Sequence, residues 1–454
     1  MSHLNNKPDQ SVSRRGFVKA SSLALAGVTI LPRHVLGGKQ ANGSRVIAPS
    51  DKLNVAGVGI GGMGKSNLNA LAPTENIVAL CDVDEKYAAP VFEKYPNAKR
   101  YKDYRKMLEA QKDIDGVVVA TPDHLHGVIT SAAMKLGKHV YVQKPLTVTV
   151  WESRELARLA KENPKVVTQM GNQGHSNDDA RLINEWIADG AIGKVQEVHV
   201  WTNRPIWPQG MDFPKEAVDV PSTLDWELFL GPAPHRPYNP AYTPFKWRGW
   251  VDYGAGALGD MGAHLVDHPY WALGLNPPIS VEASSTPFNK QSYPVASMVT
   301  YEFETKDKKK PLVMTWYDGG ILPPKPLEFG DGPVPKSGGV LYVGTKGKLF
   351  HETYGSKPRL LPQEKMDSYK KPAQTIPRVG MSHERNWAEA CKGNGKAVSP
   401  FEYAGPLCET MLLGIVALYK QGTKLNWDTK TMQFTNAPEL NQYLKREYRQ
   451  GWVM

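Results

Sequence analysis

The sequence has few cysteines, little excess charge outside its N-terminus and no long hydrophobic run. Its three cysteines, Cys81, Cys391 and Cys408, lie far apart, which excludes a CxxC pair and a disulfide framework. The net charge is +10 over 454 residues, and residues 1–45 carry a net six of these positive charges. No basic stripe with interleaved aromatic residues is present, so we expect no nucleic-acid partner. We also expect no stable membrane span, because no segment is both long enough and apolar enough.

The first 50 residues have the pattern of an export signal followed by a linker. The segment Ser13–Lys19 reads SRRGFVK, and a short, mildly apolar stretch, Ala20–Leu31, follows it. This order resembles the twin-arginine export signal of bacteria. We therefore predict that residues 1–50 are a signal and linker, and that the twin-arginine export machinery is a partner. The expected location is the periplasm or another exported compartment of a bacterium.

The rest of the chain divides into two stretches with different patterns of apolar residues. Residues 51–170 alternate short apolar strands with helical segments, which is typical of a doubly wound α/β, or Rossmann, domain. Residues 171–454 contain half-exposed strands such as Val195–Thr202, and Lys306–Lys310 would join two later strands as a hairpin. They predict a C-terminal α+β domain with an open, mainly antiparallel sheet. Its last helices are expected either to stay within it or to pack back on the first domain.

A glycine-rich turn follows the first strand predicted in residues 51–170. Strand Leu53–Val58 leads into the sequence GIGGMG, and a second strand, Ile77–Cys81, is followed by an acid. This order is typical of a dinucleotide-binding unit, in which glycines let a pyrophosphate approach and the acid bonds a ribose hydroxyl. The alternative is a glycine-rich turn that binds nothing. The residues predicted here to bind the cofactor are Gly59, Gly61, Gly62, Met63, Gly64 and Asp82.

Polar residues also follow two later predicted strands, Gly116–Ala120 and His139–Val142. Ligands of open α/β sheets bind outside the carboxyl ends of strands, so these residues are candidates to face the cofactor. A lysine at that position can bond a reacting hydroxyl and act as an acid or base. The alternative is a pair of ordinary loops with solvent-facing histidines. The residues concerned are Thr121, Pro122, His124, His126, Gln143 and Lys144.

A third candidate group lies in the sequence GALGDMGAHLVDH. If this segment is helical, Asp260 and His264 are four residues apart and share one face. A carboxylate beside an imidazole can hold one tautomer and form a proton relay. His264 and His268 also have a spacing that a metal could use, although we predict no metal. The alternative is a helix end with structural polar residues.

Taken together, these motifs resemble the Gfo/Idh/MocA family, named for glucose–fructose oxidoreductase and inositol dehydrogenase. The matching pieces, in family order, are GIGGMG, CDVD, TPDHLH, GKHVYVQKPL, GNQG, GDMGAH and YVGTKGKL, and they span the chain from about Leu53 onward. The resemblance implies catalytic roles for three residues. His264 would be the general base or acid, Asp260 would orient it, and Lys144 would hold the substrate oxygen. One departure is Gln143, where the family motif has glutamate.

A sugar or glycoside is the substrate class that this resemblance implies, and NAD is the cofactor, with NADP disfavoured because Asp82 would repel a 2′-phosphate. Aromatic faces beside polar groups suit sugar rings, and several lie near the Asp260 segment. The alternative is that these aromatic residues are core or subunit interface, and the open sheet favours a homo-oligomer. The candidate substrate residues are Asn172, Gln173, Arg204, Trp207, Trp250 and Tyr253.

The function predicted from sequence is an NAD(P)-dependent oxidoreductase that acts on a ring hydroxyl of a sugar or glycoside. Free nicotinamide nucleotide is scarce outside the cytoplasm, so an exported enzyme is expected to retain its cofactor and run a redox-neutral cycle. One alternative is a glycoside hydrolase or lyase on the same fold, either NAD-dependent through oxidation and elimination or metal-dependent through His264 and His268. Another alternative is a non-catalytic protein that binds a nucleotide or sugar.

Overall fold

The computed structural model describes residues 38–39, 45–46, 51–305 and 310–454. The twin-arginine motif and the tip of the predicted Lys306–Lys310 hairpin lie outside the described residues. The chain divides into two compact units, Met1–Lys52 and Leu53–Met454. In the first unit, strands β1 (Gly38–Lys39) and β2 (Arg45–Val46) pair antiparallel. All of the following description concerns the second unit.

A parallel sheet of six strands forms the first half of this unit, in the spatial order β5-β4-β3-β6-β7-β8. The strand order reverses between β3 and β6, and ligands of such sheets bind at this switch point. The strands are β3 (Asn54–Val58), β4 (Asn76–Cys81), β5 (Lys99–Tyr101), β6 (Gly116–Val119), β7 (His139–Val142) and β8 (Thr168–Met170). The helices are α1 (Met63–Leu71), α2 (Glu85–Lys94), α3 (Tyr104–Ala110), α4 (His126–Lys135) and α5 (Val150–Glu162).

Local sequence explains why these elements begin where they do. The four residues of β6 are all buried, as expected for a parallel strand covered by helices on both faces. Helix α5 begins with a capping box, in which Thr149 and Glu152 satisfy each other's backbone N–H groups. The Asp84 side chain accepts from the backbone N–H of Tyr87 and caps α2. The Rossmann half of the prediction is therefore confirmed.

A nine-stranded sheet forms the second half, in the order β15-β14-β13-β9-β12-β11-β10-β16-β17. Its described pairs are antiparallel except β9 with β12, so the predicted open, mainly antiparallel sheet is confirmed. Strand β11 alternates buried and less buried residues, which leaves one face outside the core. The strands are β9 (Val195–Thr202), β10 (Ser280–Ser285), β11 (Ser297–Phe303), β12 (Leu312–Tyr317), β13 (Gly338–Gly344), β14 (Gly347–Glu352), β15 (Arg359–Leu361), β16 (Leu425–Asp428) and β17 (Gln433–Phe434).

The helices of this second half join it closely to the first. Helix α11 packs against α1 and β7, where the Asn67 side chain donates to Glu384 at 2.8 Å. Helix α12 packs against α5, so the last helices do pack back on the first domain. The boundary predicted at residue 170 falls between the two sheets. The helices are α6 (Asp178–Ala188), α7 (Trp226–Leu230), α8 (Gly256–Leu265), α9 (Asp267–Ala272), α10 (Gln363–Ser368), α11 (His383–Cys391) and α12 (Phe401–Ala417).

Helix α12 is apolar all round because it lies in the core. Among the described residues, Phe401–Lys420 is the one helical stretch long and apolar enough to cross a membrane. However, 83% of its most apolar 18-residue window is buried inside the protein. A helix that is apolar on every side is typical of a fully buried core position. The apolar character of α12 is accounted for by its packing.

Candidate functional site

The predicted glycine turn connects β3 to α1, and two of its glycines are required by the backbone. Gly59 has a φ of 76°, and a Cβ there would lie 2.6 Å from the backbone nitrogen of Thr121. A Cβ on Gly64 would overlap the carbonyl oxygen of Gly59. Helix α1 begins without a side-chain cap at Gly62, which leaves first-turn N–H groups for an anionic ligand.

The Asp82 carboxylate holds this turn in shape. Its Oδ2 atom accepts from the backbone N–H groups of Ile60 at 2.8 Å and Gly61 at 3.2 Å, and its Oδ1 atom accepts from Asp84 at 3.0 Å. Burial raises the pKa of Asp82 to about 6, although these three backbone hydrogen bonds oppose the shift. Asp82 therefore organises the turn as well as facing the space beside it.

The pH dependence of NAD binding should report this carboxylate. Below pH 6 the carboxyl becomes neutral and is a weaker acceptor for a ribose hydroxyl than the carboxylate, so affinity should fall by up to about tenfold for each pH unit. Equilibrium titration of nucleotide-free protein between pH 4.5 and 8 measures this slope. The Asp82→Asn variant should bind NAD weakly at all pH values with no slope. It should also discriminate less against NADP, because a 2′-phosphate would no longer meet a carboxylate. A slope that survives in Asp82→Asn would show that another group titrates.

A cavity of about 790 Å³ opens beside the turn at the switch point of the sheet. Its walls come from both halves of the unit, since the carboxyl ends of β6 and β7 meet helix α8 and the segment after β14 there. The predicted site residues that line it are Gly59, Gly61, Gly62, Met63, Asp82, Thr121, Pro122, Gln143, Lys144, Gln173 and His264. The structure thus brings the glycine turn and two of the three catalytic candidates to one cavity.

The third catalytic candidate, Asp260, does not line the cavity but forms an ion pair with Lys144. The Lys144 Nζ atom donates to Asp260 Oδ1 at 2.8 Å and to its backbone oxygen at 3.0 Å, and Arg248 Nε lies 3.4 Å from Oδ1. Burial disfavours the Asp260 carboxylate, but these two cations outweigh burial and hold its pKa at about 2. No hydrogen bond joins Asp260 to His264 among the described residues. The predicted role of Asp260 as the group orienting His264 is therefore corrected: it fixes the Lys144 ammonium.

His264 is a buried, neutral imidazole at the cavity wall. Burial lowers its pKa well below the usual 6.5, and the nearby Lys144 ammonium lowers it further. Its Nδ1 atom is buried without a hydrogen-bond partner in the described part of the chain. No hydrogen bond to its Nε2 atom is found there either, and His264 lines the cavity. A neutral imidazole with an unpaired nitrogen is suited to accept a proton from a substrate hydroxyl.

Two predicted cofactor ligands, His124 and His126, are held elsewhere. The ring nitrogens of His124 contact the carbonyl oxygens of Tyr253 at 3.2 Å and Phe229 at 2.8 Å. Those of His126 contact the carbonyl oxygens of Pro145 and Thr121. Neither residue lines the cavity. Both are corrected to structural residues, because their nitrogens are engaged by backbone carbonyls that need donors.

Most of the predicted substrate residues also lie outside the cavity. Trp207, Trp250 and Tyr253 are buried in an aromatic core cluster, as the alternative interpretation held. Asn172 is fully buried, and the Arg204 guanidinium donates to Asn203. Only Gln173 of this group reaches the cavity. The prediction was wrong because spacing in the sequence does not show which aromatic faces point inward.

The cavity wall contains residues that sequence reasoning passed over. They come from the TPDHLH motif, from the aromatic region and from two distant segments, and they are Asp123, Arg248, Asn177 and Tyr354. Burial raises the pKa of Asp123 to about 7, and its carboxylate accepts from Ala255 N–H at the start of α8. The position of Asp123 after a strand end was an available signal. The remaining three had no comparable local signal.

The residues at the turn fit a dinucleotide, and those at α8 do not form an evident metal site. The uncapped start of α1 and the Asp82 carboxylate border the cavity, and Thr121 Oγ1 is buried there without a partner in the described chain. His268 is fully buried away from the cavity, with His351 as a ring neighbour at 5.0 Å. Within residues 51–305 and 310–454, no group of three or more His, Cys, Asp or Glu side chains is placed to hold a metal.

Two family models match the chain and together cover just over half of it. Residues 53–170 match the oxidoreductase family model described as an NAD-binding Rossmann fold, and residues 190–310 match the C-terminal alpha/beta domain of the same family. The chain belongs to the Gfo/Idh/MocA oxidoreductase family. The resemblance seen in its motifs is thereby confirmed, as is NAD as the cofactor of this Rossmann fold. The twin-arginine signal stays a prediction.

Several Gfo/Idh/MocA relatives resemble parts of the chain. Inositol 2-dehydrogenase of Salmonella typhimurium is 30% identical over 31% of this chain and 43% of its own length. Levoglucosan dehydrogenase of Pseudarthrobacter phenanthrenivorans is 26% identical over 49% of this chain and 51% of its own. A glycosyl hydrolase family 109 protein of Shewanella putrefaciens is 27% identical over 41% of this chain and 44% of its own length. The chain therefore spans about half or less of these relatives.

Solved structures share the fold over most of the chain. The WlbA dehydrogenase of Bordetella pertussis, in complex with NADH and UDP-GlcNAcA, matches with a TM-score of 0.59 and 16% identity. The match covers 83% of this chain and 99% of that one. At this identity the likeness shows that both halves of the Gfo/Idh/MocA fold are present in the same arrangement.

Proposed function

We propose that the protein is an NAD-dependent oxidoreductase acting on a ring hydroxyl of a sugar or glycoside. The observation that carries this proposal is that Lys144, paired with Asp260, and His264 line the cavity that the glycine turn borders. The names of the relatives support the substrate class, since inositol and levoglucosan both carry ring hydroxyls. A non-catalytic binding protein would have no need of this buried, paired set.

Each residue of the set has a separate task. NAD, when bound, supplies the hydride acceptor. The Lys144 ammonium, held by Asp260, donates a hydrogen bond to the substrate oxygen and favours its developing negative charge. The neutral imidazole of His264, which lines the cavity, accepts the hydroxyl proton at an unpaired ring nitrogen. Asp260 keeps the ammonium in place, so that the oxygen is presented at a fixed distance from the base.

We further propose that the cofactor stays bound through a redox-neutral cycle. The export motif SRRGFVK supports this proposal, since NADH released outside the cytoplasm could not be reoxidised by a soluble pool. The position of Tyr87 supports it as well, because its ring packs directly on Gly61 at the turn and lines the cavity. The proposed location is the periplasm, and the proposed assembly is a homo-oligomer.

Native mass spectrometry of protein recovered from the exported fraction tests these proposals together. We expect one NAD per chain, an intact complex whose mass is a multiple of the chain mass, and loss of the N-terminal signal. Addition of a substrate sugar should reduce the bound cofactor once, and a second, oxidised sugar should reoxidise it. Recovery of nucleotide-free protein that turns over many times only with added NAD would contradict cofactor retention. It would leave the oxidoreductase assignment intact.

A second candidate function is an NAD-dependent glycoside hydrolase or lyase, favoured by the similarity to a glycosyl hydrolase family 109 protein. The same base and ammonium would serve oxidation of a ring hydroxyl, elimination of the aglycone, addition of water to the resulting unsaturated ketone and a final reduction. Release of nitrophenol from aryl glycosides without net NADH formation would identify this activity. Activity lost with a chelator and restored by a metal would instead indicate the metal-dependent alternative.

A further inference from the structure

Tyr354 stands in an unusual backbone conformation at the edge of the cavity. It follows β14 in the short connection to β15, and its φ is 65°. Bulky residues other than glycine rarely adopt a positive φ, and such outliers persist only where the surrounding structure imposes them. The positive φ of Tyr354 therefore indicates that contacts with the rest of the protein hold this residue in place.

The connection around Tyr354 is fixed to the segment that follows β8. The Asn177 side chain donates to the Tyr354 carbonyl oxygen at 3.0 Å. A Cβ on Gly174 would lie 3.0 Å from the Tyr354 Cα, so the glycine allows an approach that a larger residue would crowd. Three residues on, Lys357 also has a positive φ, of 51°, and its backbone N–H donates to Asp179 at 2.9 Å. The nine-stranded sheet is thus pinned to the carboxyl end of the parallel sheet at this point.

The result is that the Tyr354 ring stands beside the proposed base. Its ring lies edge-on to His264, with the centroids 4.7 Å apart, and it lines the cavity. The side chain keeps 43% of its surface exposed. Its hydroxyl makes no hydrogen bond within the described residues. An accessible aromatic face with an unpaired hydroxyl is typical of a ligand-contacting tyrosine.

We propose that Tyr354 is a substrate-contacting residue that determines which carbohydrate ring the site accepts. Its ring would pack on the apolar face of a pyranose or cyclitol, and its hydroxyl would bond a hydroxyl next to the one that His264 deprotonates. This inference rests on the proposed oxidoreductase function, because His264 is taken as the base. It assigns to Tyr354 the task that the sequence predicted for Trp207, Trp250 and Tyr253, all of which are in the core.

Equilibrium binding of two probes, levoglucosan and myo-inositol, to the NAD-loaded protein tests the inference by calorimetry. We expect wild-type protein to bind at least one of them, Tyr354→Phe to weaken binding about threefold and Tyr354→Ala about tenfold. Gly174→Ala should weaken binding similarly, because it displaces the Tyr354 backbone while keeping the ring. Lys357→Gly is the matched control, since it changes a positive-φ residue of the same loop that does not line the cavity.

The inference is overturned if Tyr354→Ala binds as tightly as wild type, if Lys357→Gly weakens binding equally, or if the wild type binds neither probe. Thermal unfolding of each variant confirms that it is folded. Reduction of the bound cofactor is scored separately from binding. A wild-type protein that binds a probe without reducing NAD would contradict the proposed function but not the role of Tyr354 in recognition.

Discussion

Replacing His264 with alanine should lower the rate of cofactor reduction by about 10²- to 10⁴-fold, the usual contribution of a positioned general base. The reason is geometric, since His264 is the neutral imidazole at the same cavity wall as Lys144. Single-turnover absorbance of the NAD-loaded protein after mixing with substrate measures the effect. NAD content should be unchanged, because no contact of His264 involves the glycine turn.

The pH profile of the wild type gives an independent readout of the same residue. Because burial and Lys144 lower the pKa of His264 well below 6.5, the acid limb of the rate should lie below the usual imidazole range. His268→Asn is the control, since it removes a buried imidazole one helical turn away that does not line the cavity. Equal losses in the two variants, or an acid limb near 6.5 that persists in Asp82→Asn and in Asp123→Asn, would contradict His264 as the base.

Removing Asp260 should destabilise the protein as well as inactivate it. Asp260→Ala leaves the Lys144 ammonium and the Arg248 guanidinium partly buried without their carboxylate, and breaking a buried pair in this way costs about 3–5 kcal/mol. Lys144→Met should cost a similar amount. The free energy of unfolding should fall less in the double variant than the sum of its falls in the two single variants, since the pair is removed as a unit. Urea unfolding of the four proteins gives the coupling free energy.

A second buried pair supplies the control for this cycle. Lys392 and Glu75 are joined at 2.7 Å and are similarly buried, but they lie outside the cavity. Lys392→Met should lower the free energy of unfolding while leaving the rate of cofactor reduction unchanged. If the cost of Asp260→Ala is the same with and without Lys144, Asp260 has another energetic partner. Arg248, the second cation beside Asp260, would then be the first candidate.

The predicted site residues that the structure places at the cavity are those whose positions local geometry dictates. Gly59 and Gly64 occupy positions where a Cβ would meet backbone, so the motif carries its own structural reason. Lys144 follows a buried parallel strand, and the ends of such strands converge at the switch point whatever the rest of the fold. Asp260 and His264 lie four residues apart on α8, as their spacing predicts. Spacing alone could not show that the carboxylate pairs with Lys144.

The parts that sequence missed depend on contacts between distant segments. Tyr354 reaches His264 only because the nine-stranded sheet is pinned to residues 174–179, and no periodicity marks that contact. His124 and His126 follow a strand end just as Lys144 does. The difference is that backbone carbonyls from α7 and neighbouring loops engage their rings, which is decided by tertiary packing.

The packing of α11 against α1 has a consequence for the order of events during synthesis. Trp387 fills the space above Gly116, and Glu384 satisfies Asn67 in the helix that begins at the glycine turn. When only residues 51–170 have been synthesised, the surface of α1 that α11 covers in the complete chain is therefore still exposed. The packing that covers α1 therefore forms only after nearly the whole chain has been made. On the proposed export route, a chain in which this packing is complete is the folded cargo that the route carries.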